Sequence, residues 1–573
     1  MDKRWVIKKP GDAAEVTALA EALDINKSVA SLLVQRGLKS FDDARKFFRP
    51  ELENLHDPFN MMDMNQAVDR IMSAMDRNEK ILVYGDYDVD GTTSVALLYS
   101  FFNKYYSNLG YYIPDRDTEG YGVSTKGVDY AGANNYSLII SIDCGIKAIE
   151  KVKYAKDKGI DFIICDHHMP GETLPEAVAI LDPKRKECGY PFKELSGCGV
   201  GFKLIQAYAR INGIDFEELI PLLQLVAVSI AADIVPIVGE NRILAFHGLE
   251  QLNTNPGEGI KSIRKIAGIA DRVVDIADVI FKIGPRINAA GRMETGSKSV
   301  ELLLAKNREE AFKMSQKIDG YNKDRRVIDQ GITQDALMRI SSDKQLMYRK
   351  STVLYNPKWH KGVIGIVASR LIETYFRPTV VLTESNGMAT GSARSVPGFD
   401  LYEAMESCSH LLENFGGHMY AAGLTLKKEN ISEFEECFEK AVSETITDDQ
   451  LIPVVDIDAE INFKQITDSF VRILKQFQPF GPENMAPVFV SRNVVSGSGT
   501  RLVGASGEHI KLELIQENGI IFNGIAFSQS PSFEYIQHGQ SFDICYSIDE
   551  NEFRGRTSLQ LNIKDIKPSV RNA

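Results

Sequence analysis

The sequence predicts an α/β protein of several domains: a doubly wound parallel sheet, a long helical connector, a second α/β domain and a C-terminal β-barrel. Three observations predict it. Between about residues 71 and 250, apolar runs short enough for buried strands alternate with segments of helical period. Residues 300–345 read as one highly charged helical stretch. Beyond about residue 450 the chain breaks into short alternating runs separated by turn residues, as a small barrel requires. A chain of 573 residues is too long for one core and fits about three to five domains.

Residues 1–70 are expected to form an N-terminal segment of amphipathic helices, 26–33 and 41–48, with Pro50 and Pro58 interrupting the chain after them. Strands are expected at 81–85, 137–142 and 161–165, each running into polar residues. The first leads into Asp86-Tyr87-Asp88-Val89-Asp90-Gly91, the second into Asp143-Cys144-Gly145, the third into Asp166-His167-His168. The apolar stretch 227–236 is read as a further strand end carrying Asp233, a carboxylate that needs a cationic partner if buried. The helical stretch 300–345 is expected to join two lobes, the second beginning with strands near 352–355 and 379–383. Runs at 486–490, 509–514, 520–523 and 559–563 supply the barrel.

Carboxylates and imidazoles delivered to one rim of a parallel sheet lie where open α/β sheets place their ligands. Aspartate with histidine suits hard divalent cations such as Mn²⁺ or Mg²⁺. Two ions sharing a carboxylate fit phosphoester hydrolysis, with Asp143 as the bridge, Asp88 on one ion, and Asp90, His167 and Asp233 around the other. Asp86, Asp88 and Asp90 are read as alternating within one loop. His168 is placed against the reacting phosphate, with Asp166 orienting an imidazole. The D-x-D-x-D-G loop also fits a calcium-binding pattern, but Leu97 stands where that pattern needs a glutamate.

Composition bounds the rest. Seven cysteines without a C-x-x-C pair disfavour a zinc ribbon or disulfide framework. The N-terminus lacks the apolar core of a signal peptide and no apolar run reaches transmembrane length, so a cytoplasmic location without membrane association is expected. A net charge of −12 argues against a nucleic-acid coat protein while leaving a metal-dependent nucleic-acid enzyme open.

The three strand-end motifs and Ala232-Asp233-Ile234-Val235-Pro236 carry the signature of the DHH phosphoesterase superfamily. Gly284-Pro285-Arg286-Ile287-Asn288-Ala289-Ala290-Gly291-Arg292 is similar to a segment of the RecJ exonuclease family within it. The segments 359–370, 391–395 and 416–423 match a DHH-associated domain. The resemblance implies a DHH catalytic domain over 71–298 and a connector helix over 299–345. It further implies a DHH-associated domain over 346–448 and an oligonucleotide-binding (OB) fold over 449–573. The implied activity is 5′-to-3′ hydrolysis of single-stranded DNA to mononucleotides, in repair and recombination.

By motif, the metal ligands become Asp88, Asp90, Asp143, His167 and Asp233, with Asp86 either ligating or supporting the loop. Arg116, Ser392 and Arg394 would hold a terminal 5′ phosphate. Arg286, Asn288, Arg292, Arg370 and His418 would line the backbone path, guanidinium groups gripping phosphate oxygens through paired hydrogen bonds. Single-strand-binding protein and a helicase are the partners implied. A phosphodiesterase for short oligoribonucleotides or cyclic dinucleotides is the alternative, and it would need neither barrel nor connector. A non-catalytic scaffold is disfavoured by the full ligand set. One departure is Glu483, an acid where the family pattern opens the barrel with a small residue.

Overall fold

The computed structural model describes residues 2–516, 519–537, 539–553 and 556–569; residues 570–573, the end of the expected barrel domain, lie outside the described residues. The chain falls into two compact units, one of Leu52–Leu451 and one of Met1–Glu51 with Ile452–Ala573.

The larger unit holds five parallel strands: Lys80–Gly85 (β1), Leu109–Tyr112 (β2), Tyr136–Ile142 (β3), Asp161–Cys165 (β4) and Ala179–Leu181 (β5). They stand in the order β2-β1-β3-β4-β5. Ile81, Val83, Leu138, Ile140 and Ile163 point to one buried face, and Leu82, Tyr84, Ile139, Phe162 and Ile164 to the other. Burial on both faces is why these strands read as unbroken apolar runs. The strand order reverses between β1 and β3, which opens a crevice at their carboxyl ends. Both strands run there into their aspartate segments.

Helices Val89–Phe102 (α1), Gly197–Ile211 (α2), Leu223–Ala232 (α3) and Gly284–Met293 (α4) cover this sheet and its crevice. The connector is a single helix, Arg308–Ser342 (α5), capped by Asn307, whose side chain accepts from the Glu309 and Glu310 amides. Its Ala311 and Ile318 belong to the first core, and its Ile332, Ala336 and Ile340 to the next lobe. One helix with an apolar patch at each end thus fixes two lobes within the unit. The second lobe is a mixed sheet of Thr352–Tyr355 (β6), Thr379–Ser385 (β7), Met388–Arg394 (β8), Leu412–His418 (β9) and Ala421–Leu426 (β10). Its order is β9-β10-β8-β7-β6, with helix Ile364–Tyr375 (α6) packed on one face.

In the smaller unit, Phe489–Ser496, Phe542–Phe553, Arg556–Pro568, Ile520–Ala526 and His509–Gln516 pair in succession. The last pairs back to the first, through Val495–Ile515 and Ser496–Leu514, and closes a five-stranded barrel. Residues 1–51 build one body with this barrel instead of a separate segment ending near 70. Arg4–Ile7 pairs in parallel with Val454–Ile457, and three helices, Ala13–Leu23, Lys27–Gln35 and Phe41–Phe48, share the barrel's core. Helix Met64–Asp76 instead buries Ala67, Val68 and Ile71 in the larger unit.

Glu483 occupies the left-handed region at φ 60°, which explains a small residue at this turn in the family pattern. The next residue, Asn484, is buried; its amide donates to the Phe477 and Pro479 carbonyls at 2.8 and 2.9 Å, and its oxygen accepts from Arg36 Nε at 3.0 Å. Among the described residues, no helix is long and apolar enough to cross a membrane.

Candidate metal centre and adjoining phosphate pocket

The crevice between β1 and β3 gathers the acidic segments. Asp86 follows β1 directly, and Asp88 caps α1 by accepting from the Gly91 amide at 2.9 Å. Asp90 therefore sits in the first turn of α1, not in a loop: the D-x-D-x-D alternation spans a strand end, a cap and a helix. Asp233 likewise corrects the sequence reading. It caps the C-terminus of helix α3 and is not a strand end, because 223–232 is a helix, apolar on nearly every face because it is buried all round.

His167 Nε2 is the meeting point. It lies 3.1 Å from Asp143 Oδ1, 3.6 Å from Asp233 Oδ2 and 3.8 Å from Asp90 Oδ2. Ligand atoms of Asp90, His167 and Asp233 lie within 4.8 Å of one another, as do those of Asp143, His167 and His168. Asp86 and Asp88 belong to neither group. Asp166 belongs to neither group but supports one: it accepts from the backbone amides of Ile146, His167 and His168 and lies 2.7 Å from His168 Nδ1.

Burial pushes the Asp143 carboxyl well above the usual carboxylate range, and repulsion from Asp90, Asp88, Asp233 and Asp166 adds to it. Burial and Asp88 do the same to Asp86. Burial, Asp90 and Asp88 raise Asp233 to about 8. Asp166 is the exception: burial opposes its ionisation, yet the hydrogen bond and charge of His168 hold it down to about 2. Burial alone would discharge His168, but Asp166 overrides it and lifts the imidazole to about 9. Asp86 Oδ2, Asp143 Oδ2 and His167 Nδ1 are buried without a hydrogen-bond partner in the protein. Partnerless buried acceptors beside mutually repelling carboxylates fit a divalent cation, whose charge and coordination would satisfy both.

Sequence reasoning missed what holds Asp90. Its carboxylate accepts from the amides of Gly197 and Cys198 at 2.7 and 2.9 Å, and from the hydroxyls of Ser229 and Ser94 at 2.7 and 3.2 Å. Gly197 and Cys198 open helix α2, so its N-terminal dipole also faces this carboxylate. Gly197 is required by close approach: a Cβ there would lie 2.7 Å from Asp143 Cβ. The signal available was Ser196-Gly197-Cys198-Gly199, small residues opening a helix.

Beside the metal centre lies a cavity of about 710 Å³ between the two lobes of the larger unit, lined by Tyr87, Arg116, Tyr121, Arg292, Lys361, Ser392 and Arg394 among others. Four of these side chains are cationic and no carboxylate lines it. Arg394 donates to Ser392 Oγ at 2.9 Å, and the Arg116 guanidinium stacks 5.0 Å from the Tyr87 ring. Burial together with Arg116, Arg325 and Arg394 lowers Arg292 to about 9, as expected of clustered cations awaiting an anion. Tyr121 joins the two sites, since its hydroxyl lies 3.2 Å from His168 Nε2 and 3.4 Å from the Asp143 carbonyl.

The remaining expected path residues divide. Asn288 and Arg292 line a smaller cavity of about 170 Å³ with Arg325. Arg286 lines neither cavity and is paired with Asp319 of α5 at 2.9 Å. Arg370 is similarly engaged, 2.7 Å from the fully buried Asp329 of α5. Both arginines lie beside the connector and share its buried carboxylates with cations of the connector itself, Lys323 on Asp319 at 2.9 Å and Arg325 on Asp329 at 3.2 Å. His418 sits at the end of β9, exposed and outside the larger cavity.

Comparison with known proteins agrees with this anatomy. The model of the DHH family N-terminal domain matches residues 80–230, that of the DHHA1 domain 348–444, and that of the RecJ OB domain 457–565. The single-stranded-DNA-specific exonuclease RecJ of Bacillus subtilis is 37% identical over 98% of this chain and 70% of its own length. That of Escherichia coli is 33% identical over 94% of this chain and 95% of its own. The crystal structure of Thermus thermophilus RecJ with Mn²⁺ shares the fold, with a TM-score of 0.84 at 24% identity over 99% of this chain and 80% of that one. A manganese-bound exonuclease RecJ structure gives 0.60 at 29% identity, covering 70% of this chain and 98% of that one.

Proposed function

The chain belongs to the RecJ family of single-stranded-DNA-specific exonucleases, and from that premise we propose that its larger unit removes mononucleotides from the 5′ end of single-stranded DNA. One observation carries the proposal: a carboxylate–imidazole cluster and a carboxylate-free cationic cavity share the wall made by Tyr87 and Tyr121. A terminal phosphate seated in the cavity sets the scissile phosphate beside the cluster. Cleavage is then counted from the strand's end.

Asp88, Asp90, Asp143, His167 and Asp233 would hold two Mn²⁺ or Mg²⁺ ions, which when bound acidify a water and offset charge at the phosphorus. Asp90 is held in one orientation by its four donors, so its ligating geometry is set before substrate arrives. His168, kept protonated by Asp166, presents a positive edge to the reacting phosphate. Asp86 supports the turn between β1 and α1. Arg116, Arg394 and Ser392 bind the 5′ phosphate, while Asn288 and Arg292 continue the contact along the backbone. The barrel of the smaller unit is of the kind that tracks single strands without reading sequence. Roles in repair and recombination, a cytoplasmic setting, and a helicase and single-strand-binding protein as suppliers of the strand are supported by family membership alone.

The test uses 5′- and 3′-labelled oligonucleotides, single-stranded and blunt duplex, with Mn²⁺ or Mg²⁺. The 5′ label should leave at once as a mononucleotide while the 3′ label shortens stepwise. Equal cleavage of duplex, or cleavage without divalent metal, would overturn the proposal.

A further inference from the structure

Ile234 breaks two local rules at once. It is 62% exposed, and its backbone lies at φ 59°, in the left-handed region. Of the described non-glycine residues with positive φ, seven are Asp or Asn, whose short side chains tolerate it, and Ile234 is the only one with a β-branched side chain. Glycine or asparagine at this position would remove the strain, and any polar residue would remove the exposed apolar surface. Neither folding nor solubility accounts for isoleucine here.

Its place gives the reason. Ile234 directly follows Asp233, whose carboxylate lies 3.6 Å from His167 Nε2. Two residues beyond His167 stands Met169, 64% exposed. Two apolar side chains are therefore held open to water within two residues of a candidate ligand, on segments that the centre itself draws together. Tyr121, 53% exposed and within reach of His168, adds an aromatic edge to the same rim.

We propose that Ile234, with Met169, is a specificity-determining contact for the faces of unpaired bases next to the scissile phosphate. Base faces are apolar and open only in a single strand; in a duplex they are hidden in the stack. An apolar rim at the reacting phosphate therefore rewards single strands without reading sequence. The left-handed turn after Asp233 aims this side chain outwards while leaving the carboxylate directed at His167. This inference rests on the single-strand exonuclease reading above.

The experiment compares a short 5′-phosphorylated oligothymidylate with the same strand carrying abasic tetrahydrofuran residues at its 5′ end. Wild type, Ile234→Gly, Ile234→Asn and Met169→Ala are assayed with Mn²⁺ for kcat/KM. The two Ile234 variants relieve the backbone strain and should melt no lower than wild type. Each should lose roughly tenfold on the base-bearing strand and less than about twofold on the abasic one. Equal losses on both strands would mean that Ile234 only positions Asp233, and no loss on either would remove it from substrate contact; both results overturn the proposal. Binding of the two strands, followed by fluorescence anisotropy with Ca²⁺, reads the same contrast without turnover. If wild type cleaves neither strand, the exonuclease reading fails, and the anisotropy contrast still decides this one.

Discussion

Replacing Asp233 with asparagine should stabilise the protein in the absence of metal. The Asp233 carboxyl is raised from 3.8 to about 8 by burial and by Asp90 and Asp88. A folded pKa above the unfolded one means stability present below about pH 4 and lost as pH rises through about 8. Undiscounted, such a shift would amount to more than 5 kcal/mol at about 1.36 kcal/mol per unit. Because Asp233 is partly open to water, screening reduces this to about 2 kcal/mol. For a unit the size of Leu52–Leu451, that is a gain of roughly 2–3 °C in Tm. Differential scanning fluorimetry in EDTA at pH 8.5 and pH 5.5 measures it: Asp233→Asn should melt higher than wild type at pH 8.5, with a smaller gain at pH 5.5. Added Mn²⁺ should raise the wild-type Tm most at pH 8.5 and the variant's far less, since protons compete with the ion for the ligands. An Asp233→Asn protein that melts lower in EDTA at pH 8.5, or gains equally at both pH values, would refute the electrostatic account of the site.

Other substitutions separate the roles. Asp143→Ala should abolish hydrolysis while leaving single-strand binding measurable by anisotropy. Ser229→Ala removes one of the four donors to Asp90 and should weaken Mn²⁺ binding, read by calorimetry, by about 10- to 100-fold with little change in fold. Arg394→Ala should cost about 2 kcal/mol of discrimination between 5′-phosphorylated and 5′-hydroxyl ends, because it removes a guanidinium from a cavity without carboxylates. Arg370→Ala should instead act on stability, by about 2 kcal/mol in denaturant unfolding, since it leaves the fully buried Asp329 with Arg325 alone as its cationic partner, at 3.2 Å; equal affinity for DNA would accompany it.

The acidic segments after β1, β3 and β4 were legible because a buried strand ending in carboxylates has few structural explanations. Asp233 was legible as a residue but not in its setting. An apolar run of ten residues does not distinguish strand from helix, and only its alanines hinted at the latter. Arg286 and Arg370 show the limit of reading cations from neighbours in sequence: their partners, Asp319 and Asp329, lie on a helix whose packing no local pattern reveals. The donors around Asp90 were hidden for a different reason. Two are backbone amides, and any residue supplies one; only the glycine at 197, forced by its distance to Asp143, leaves a trace in the sequence.

The pairing of Arg4–Ile7 with Val454–Ile457 has a consequence for biosynthesis. The larger unit is an insertion within the smaller one, whose two pieces are separated by 52–451. On the ribosome the first piece emerges early and must wait for its partner strand, roughly 20–80 s at ordinary elongation rates. Throughout that interval Leu32, Leu33 and Phe47, which end in the barrel's core, have only the neighbouring helices of residues 13–48 against them and lack the barrel's share of that core. The segment made first is completed last, so synthesis rate and chaperone access, more than intrinsic stability, should govern the yield of the smaller unit.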